Sequence, residues 1–307
     1  MQFSEAVEGF WLTNKRNRSE ATFASYSRIY RSIQEWLEDK EIEEVTARDV
    51  NGYLNYLEEE RCVQAQTIMN HWIALSAFWT WASPEFEIPH VVKNGVPRPK
   101  VPKKMREPHS EAEVKLIRRG VQYMKSYDPA NEKYVEVVRR SYVRDAAVIA
   151  VLLDTGIRAA ELCALNIADF DRQYGRLNVL HGKGNKQRIL PMGDRSRKRL
   201  WKYMSVRKEY DETDPLFITQ NKKRLTRDYL FQIVSRAGSR YGVKGAGPHR
   251  FRHTFAINFL RNGGSPLELQ RILGHEKLET VLIYVQLAEV DIESAQKRAS
   301  VGDAWVI

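Results

Sequence analysis

Apolar residues recur at three- and four-residue steps along most of the chain, the period of a helix that buries one face. Phe23, Tyr26, Tyr30, Ile33, Trp36 and Leu37 form one such stripe, opened by the capping signal Ser19-Glu20-Ala21-Thr22. Thr46 with Asp49 starts a second helix with Val50, Tyr53, Leu54 and Leu57 inward. Another runs from Val63 through Met69, Ile73 and Phe78 to Trp81, and a short one spans Phe3 to Leu12. From Pro84 the pattern breaks: Pro84, Pro89, Pro97, Pro99, Pro102 and Pro108 predict a linker without regular structure. Ser110-Glu111-Ala112-Glu113 is a capping box with Val114 and Ile117 behind it, so helix resumes there. Val143 to Leu153 predicts a buried helix that turns at Gly156. Arg176–Leu180 and Gln187–Pro191 predict two strands around Gly182-Lys183-Gly184-Asn185. Helices follow at Arg195–Glu209 and Thr226–Tyr241, with a short apolar piece at Leu216–Ile218 and a last helical stretch at Asp291–Arg298.

The pattern predicts a mainly α protein: a helical N-terminal domain over residues 1–83, a basic linker over 84–108, and an α+β domain with a small antiparallel hairpin over 109–307. The aromatic residues of the first domain stand at helical spacing and are read as core rather than as platforms for stacked bases.

Composition sharpens this picture. Forty-nine Lys and Arg against 39 Asp and Glu give a formal charge of +10, which points to a polyanionic partner, nucleic acid first. The linker carries Lys93, Arg98, Lys100, Lys103, Lys104 and Arg106, and a proline-stiffened basic strand can follow a phosphate backbone. Lys15, Arg16 and Arg18, ahead of the second helix, are further candidates for phosphate contacts. Cys62 and Cys163 are isolated, which predicts neither a disulfide framework nor a zinc site and fits a reducing, cytoplasmic setting. The apolar run Ala146–Leu153 is too short to span a bilayer, and the first residues carry no secretion signal. No membrane partner is expected.

The candidate chemistry lies between His249 and Tyr284. His249 and Arg252 stand three residues apart on one predicted helix face, where they can grip one phosphate. Ser265-Pro266-Leu267-Glu268 opens a helix that stops at Gly274, so His275 falls in the turn at its end. A final short helix from about Lys277 brings Tyr284. No metal-ligand spacing is present, so neither a metal nor a cofactor is expected and the phenol itself is the nucleophile of a phosphoryl-transfer site.

This order of residues resembles the tyrosine site-specific recombinases, the phage-integrase or Xer-like family. The family pattern has H-x-x-R, then L-G-H, then a tyrosine nine residues on, matched here by His249, Arg252, His275 and Tyr284. Two upstream elements also match: Thr155-Gly156-Ile157-Arg158-Ala159-Ala160-Glu161-Leu162, and the hairpin His181-Gly182-Lys183-Gly184-Asn185-Lys186-Gln187-Arg188. One departure is Val281 after Thr280, where the family usually has a second threonine. Against the family pattern, Met124 to about Tyr142 is long and is read as an inserted loop or helix extension.

The resemblance implies a tyrosine recombinase fold, with the N-terminal helices as a DNA-gripping core-binding domain. It implies that Arg158 and Arg252 neutralise phosphate oxygens and that Lys183 protonates the leaving group. His249 would move a proton, His275 bind the phosphate, Glu161 orient Arg158, and Tyr284 attack. It also implies double-stranded DNA with a specific recombination site as partner, a monomer when free, a homotetramer in the synapse, accessory proteins, and a place with the nucleoid. The C-terminal helix and Ala304-Trp305-Val306-Ile307 would dock into a neighbouring subunit. With no module before Phe3, the pattern leans away from lambda-type integrases that have a separate arm-binding part. A type IB-like topoisomerase or telomere resolvase shares the catalytic set, and a non-catalytic DNA-binding protein shares the fold; these stand as alternatives.

Overall fold

Five helix starts carry the Ser or Thr that the pattern assigns to them. Ser19, Thr46, Ser110, Thr226 and Ser265 each accept a backbone N–H three residues on, at 3.1 to 3.3 Å, satisfying a donor that the helix itself leaves unpaired. The structure is a computed structural model and describes residues 1–102, 107–180, 187–207, 210–275 and 277–288, with 296, 300 and 302 beyond. The chain divides into two units, Met1–Met105 and Arg106–Ile307.

The first unit consists of α1 (Phe3–Asn14), α2 (Glu20–Trp36), α3 (Ala47–Glu59), α4 (Ala65–Glu85) and the one-turn α5 (Val91–Gly95). Its core is aromatic: Phe3, Phe10, Tyr30, Tyr53, Phe78 and Trp79 are buried, and Phe10 meets Tyr30 edge-on at 5.6 Å. The aromatic stripe thus packs inward, except that Trp36 lies on the surface stacked on Tyr56 at 4.9 Å.

Two expectations fail here. α4 buries Ile68, Leu75, Phe78, Trp79 and Ala82, whereas Ile73, read as inward, is 40% exposed. A helix apolar on nearly every side offers several stripes of the right period, and packing chooses among them. The stretch after Pro84 is also not structureless. Pro84 sits in the last turn of α4, and α5 buries Val92 and Val96 in the first unit's core. Trp72 Nε1 donates to the Val96 carbonyl at 3.1 Å, and Asn51 Nδ2 to that of Gly95 at 3.0 Å. The prolines bracket a helical turn instead of excluding one, because the i,i+4 pair Val92/Val96 supplies an apolar face between them.

The second unit is built around α7 (Tyr142–Thr155), which buries Ala147, Val148, Val151 and Leu152 against α6 (Glu111–Gln122) and α9 (Asp194–Arg207). α8 (Ala159–Ala164) follows α7, and a three-stranded antiparallel sheet has the order β3 (Phe170–Asp171), β4 (Arg176–Val179), β5 (Arg188–Pro191). The sequence pattern missed the two-residue β3. α10 (Arg227–Ser239), α11 (Pro248–Arg261), α12 (Pro266–Leu273) and α13 (Glu279–Ala288) complete the described elements. The predicted C-terminal helix and apolar tail lie outside the described residues, Gln296, Ser300 and Gly302 excepted. Among the described residues no helix is long and apolar enough to cross a membrane.

The stretch read as a loop or helix extension is an antiparallel hairpin, β1 (Tyr123–Asp128) paired with β2 (Lys133–Val138). Tyr127 faces Tyr134 with ring centroids 5.5 Å apart, and the β-branched run Val135, Val137, Val138 favours strand over helix. Its base is tied down. The Arg139 N–H donates to the Gln122 carbonyl at 2.9 Å, and Arg139 Nη1 reaches both the Val121 carbonyl and the buried Asp145 at 3.0 Å. Glu136 pairs with Arg119 at 3.0 Å and accepts from the Tyr241 hydroxyl.

α6 and α10 cross so closely at Gly120 that a Cβ there would lie 2.0 Å from the Ala237 carbonyl oxygen. Gly120→Ala is therefore expected to force the helices apart and cost about 1–3 kcal/mol or more. Thermal unfolding read by circular dichroism should show the lowered midpoint.

Candidate active site

α7 ends where Gly156 takes the left-handed conformation, φ 59°. A side chain there would meet Phe255 at 2.4 Å and Leu273 at 3.0 Å, so glycine serves both the turn and the close packing. The chain then enters α8 with Arg158 as N-cap. Glu161 accepts from the Arg158 backbone N–H at 3.0 Å and from its Nη1 at 2.9 Å.

Three elements converge on the end of α12, whose last carbonyls have no partner within their own helix. Arg188 Nε donates to the Ile272 carbonyl at 2.8 Å, Arg252 Nη2 to Leu273 at 2.8 Å, and Arg158 Nη2 to Gly274 at 3.1 Å. Each of three consecutive carbonyls thus receives a different guanidinium, at the helix end where the macrodipole favours cations. Gly274, φ 63°, closes the helix, and His275 follows with its N–H on the Gln270 carbonyl at 3.1 Å.

Arg252 projects from α11, whose first turn starts at Pro248. It is 6% exposed and its Nη1 donates to the Gly156 carbonyl at 2.7 Å. Its Nη2 lies 2.8 Å from His275 Nε2, and since a guanidinium only donates, Nε2 is the acceptor and the imidazole carries its proton on Nδ1. Burial, then the charge of Arg158, pushes Arg252 down to about 10, so it remains a cation at neutral pH. Burial, then Arg252, Arg158 and Arg188, pushes His275 down to about 4, so it is neutral there. Burial alone would raise Glu161, but Arg188 and Arg158 outweigh it and hold the carboxyl below its usual range.

Tyr284 is 5% exposed on α13. Its ring stacks with that of His275 at 6.4 Å between centroids and lies 5.6 Å from that of His253. Burial raises its pKa, and Arg252 and Arg158 pull in the other direction. Val281, the departure from the family pattern, is fully buried three residues before Tyr284 on the same helix.

The structure therefore brings Arg158, Glu161, Arg252, His275 and Tyr284 together. His249 is exposed in the first turn of α11. Lys183 lies outside the described residues, as do Lys103 and Lys104. Lys15 and Arg16 are exposed in a short turn after α1, with the Lys15 ammonium 4.7 Å from the Phe23 ring centre. Arg18 sits over Tyr26 at 5.0 Å; Lys93, Arg98 and Lys100 are exposed, Arg98 5.8 Å from the Trp72 ring centre. Among the described residues no His, Cys, Asp and Glu side chains group as metal ligands do.

Sequence reasoning gave no role to Arg188, which ends the quoted hairpin motif, or to His253, the residue after the H-x-x-R arginine. The one signal for Arg188 was a charged residue at the start of a predicted strand. Its side chain is 10% exposed and forks onto Glu161, Nη1 to Oε1 at 3.0 Å and Nη2 to Oε2 at 2.6 Å.

His275 titrates at about 4 here and near 6.5 in an unfolded chain. Between those values the unfolded state binds the extra proton, so stability is whole above pH 6.5 and falls as the pH drops toward 4, by at most about 1.4 kcal/mol per pH unit for one group. Urea unfolding at pH 7 and pH 5 should show a smaller pH difference for His275→Gln than for the wild type.

Comparison with known proteins places these observations in context. The Phage integrase family matches residues 127–290, and the Phage integrase N-terminal SAM-like domain matches residues 9–84. The tyrosine recombinase XerD of Oceanobacillus iheyensis is 26% identical over 300 residues, covering 94% of this chain and 95% of that protein. The tyrosine recombinase XerA of Pyrococcus furiosus is 31% identical over 205 residues, 66% of this chain and 65% of its own length. Among solved structures, the Tn1549 transposon integrase in complex with transposon right end DNA superposes with a TM-score of 0.75 at 19% identity, over 92% of this chain and 94% of that one, a likeness of fold.

Proposed function

The chain belongs to the phage integrase family, and from that premise we propose that it is a site-specific DNA recombinase, cutting and rejoining strands through a 3′-phosphotyrosyl intermediate and a Holliday junction. The observation that carries the reading is the cluster of Arg158, Arg252 and His275 at the end of α12 with the Tyr284 phenol stacked beside it. Three guanidiniums face a single carboxylate there, and the excess positive charge suits a phosphate.

In the proposed reaction the Tyr284 oxygen bonds to the scissile phosphorus, the P–O5′ bond breaks, and its electron pair leaves on the 5′ oxygen, which takes a proton from Lys183. A phenol with a raised pKa is protonated at neutral pH, so its proton must leave during the attack, and His249 is assigned to that transfer. Arg158 and Arg252 neutralise the nonbridging oxygens as charge builds, and loss of either is expected to slow cleavage roughly 10²-fold or more. His275 Nδ1–H has no partner among the described residues and is assigned to a phosphate oxygen. Glu161 orients Arg158. The 5′-hydroxyl of a partner strand reverses the attack, so rejoining needs no ATP.

The partner is double-stranded DNA bearing a recombination site, held by four copies in the synapse and by a monomer otherwise, with accessory proteins, in the cytoplasm at the nucleoid. Lys15, Arg16, Arg18, Lys93, Arg98, Lys100, Lys103 and Lys104 are assigned to phosphate contacts. Arg18 and Arg98 already rest on aromatic rings, which steadies the charge they offer.

The test is covalent capture: wild type and Tyr284→Phe are mixed with fragmented DNA, denatured in SDS, and the DNA that stays on the protein is sequenced. Wild type alone is expected to retain discrete fragments. Equal retention by both proteins would reject Tyr284 as the nucleophile.

A further inference from the structure

We propose that Arg188 is a positioning residue for the cleavage step, setting where Arg158 and His275 stand relative to the phosphate. The inference rests on the recombinase reading and deepens it. Glu161 accepts four hydrogen bonds: Oε1 from Nη1 of both Arg158 and Arg188, and Oε2 from the Arg158 backbone N–H and Arg188 Nη2. Arg188 therefore supplies half of the bonds that satisfy the buried carboxylate. Without it, Glu161 has only Arg158 to compensate its charge, and the guanidinium meant for the phosphate is drawn onto the carboxylate instead.

The third bond of Arg188 reaches the other side of the site. Its Nε holds the Ile272 carbonyl at 2.8 Å, one residue before the carbonyl that Arg252 holds and three before His275. The guanidinium also lies over Gly274, where an added Cβ would come within 3.3 Å of Arg188 Cδ and Nη1. One planar side chain thus fixes α8, through Glu161, to the turn that presents His275. Its own backbone is held in register by β4, Arg188 opposite Val179. A lysine keeps the charge but cannot span two carboxylate oxygens and a carbonyl with one ammonium.

Arg188 also opens the strand that follows the segment carrying Lys183, so a role on the leaving-group side is the competing account. The experiment separates the two. Full-length wild type, Arg188→Lys and Arg188→Gln are given the duplex recovered by covalent capture, in its natural form and with sulfur replacing the 5′-bridging oxygen at the cut. A thiolate departs without a proton donor, so sulfur relieves a missing acid but not a misplaced phosphate grip. Single-turnover adduct formation and DNA affinity are both measured.

Both variants are expected to form adduct roughly 10–100-fold more slowly, with DNA affinity close to wild type and the defect unchanged on the sulfur substrate. An Arg188→Lys rate equal to wild type overturns the proposal, as does full recovery on sulfur or a loss confined to affinity. Arg188→Lys retains the buried ion pair and keeps the test open should Arg188→Gln unfold; unfolding of both would make Arg188 a stability residue and also overturn it. Absence of adduct with the wild type would instead strike the recombinase reading itself.

Discussion

Three orphan carbonyls at the end of α12 organise the second unit's working face. A helix cannot satisfy its last carbonyls, and here α12 obtains donors from Arg188 on a strand, Arg252 on α11 and Arg158 at the start of α8. Because each guanidinium has several N–H groups in a plane, the same side chains also bond Glu161, the Gly156 carbonyl and His275. The requirement to pair a backbone therefore places like charges side by side, which side-chain packing alone would resist. Glu161 offsets part of that repulsion, and the rest stays available to an anion.

The same crowding fixes the protonation of the neighbours. A histidine against three guanidiniums is held neutral well below its ordinary range, whereas the arginine beside it loses proton affinity and still remains charged. The site thus holds permanent cations and one neutral imidazole across the neutral range. Its electrostatic preorganisation comes from arginines, which stay charged across that range.

Much of this was legible in the sequence because it is local. Caps at Ser19, Thr46, Ser110 and Ser265, and the turns at Gly156 and Gly274, depend on residues within a few positions of each other. What stayed hidden depends on distant partners. Arg188 acquires its meaning from Glu161 and Ile272, 27 and 84 residues away. The buried face of α4 was ambiguous because several of its faces are apolar, and α5 was hidden by the prolines around it. The β1–β2 hairpin has no Asn-Gly turn to announce it, and its exposed strands alternate too weakly to outvote a helical reading.

That hairpin leaves the body at Gln122 and returns at Arg139, where the N–H of one meets the carbonyl of the other at 2.9 Å. The excursion is closed at its neck, and Glu136 ties it back once more, to Arg119 of α6 and to Tyr241. Beyond that anchor the turn at residues 129–132 is exposed, and lengthening a flexible loop costs only about 0.6 kcal/mol for each doubling. The fold therefore has a port, the tip of the hairpin, where added sequence meets the fewest contacts of the body.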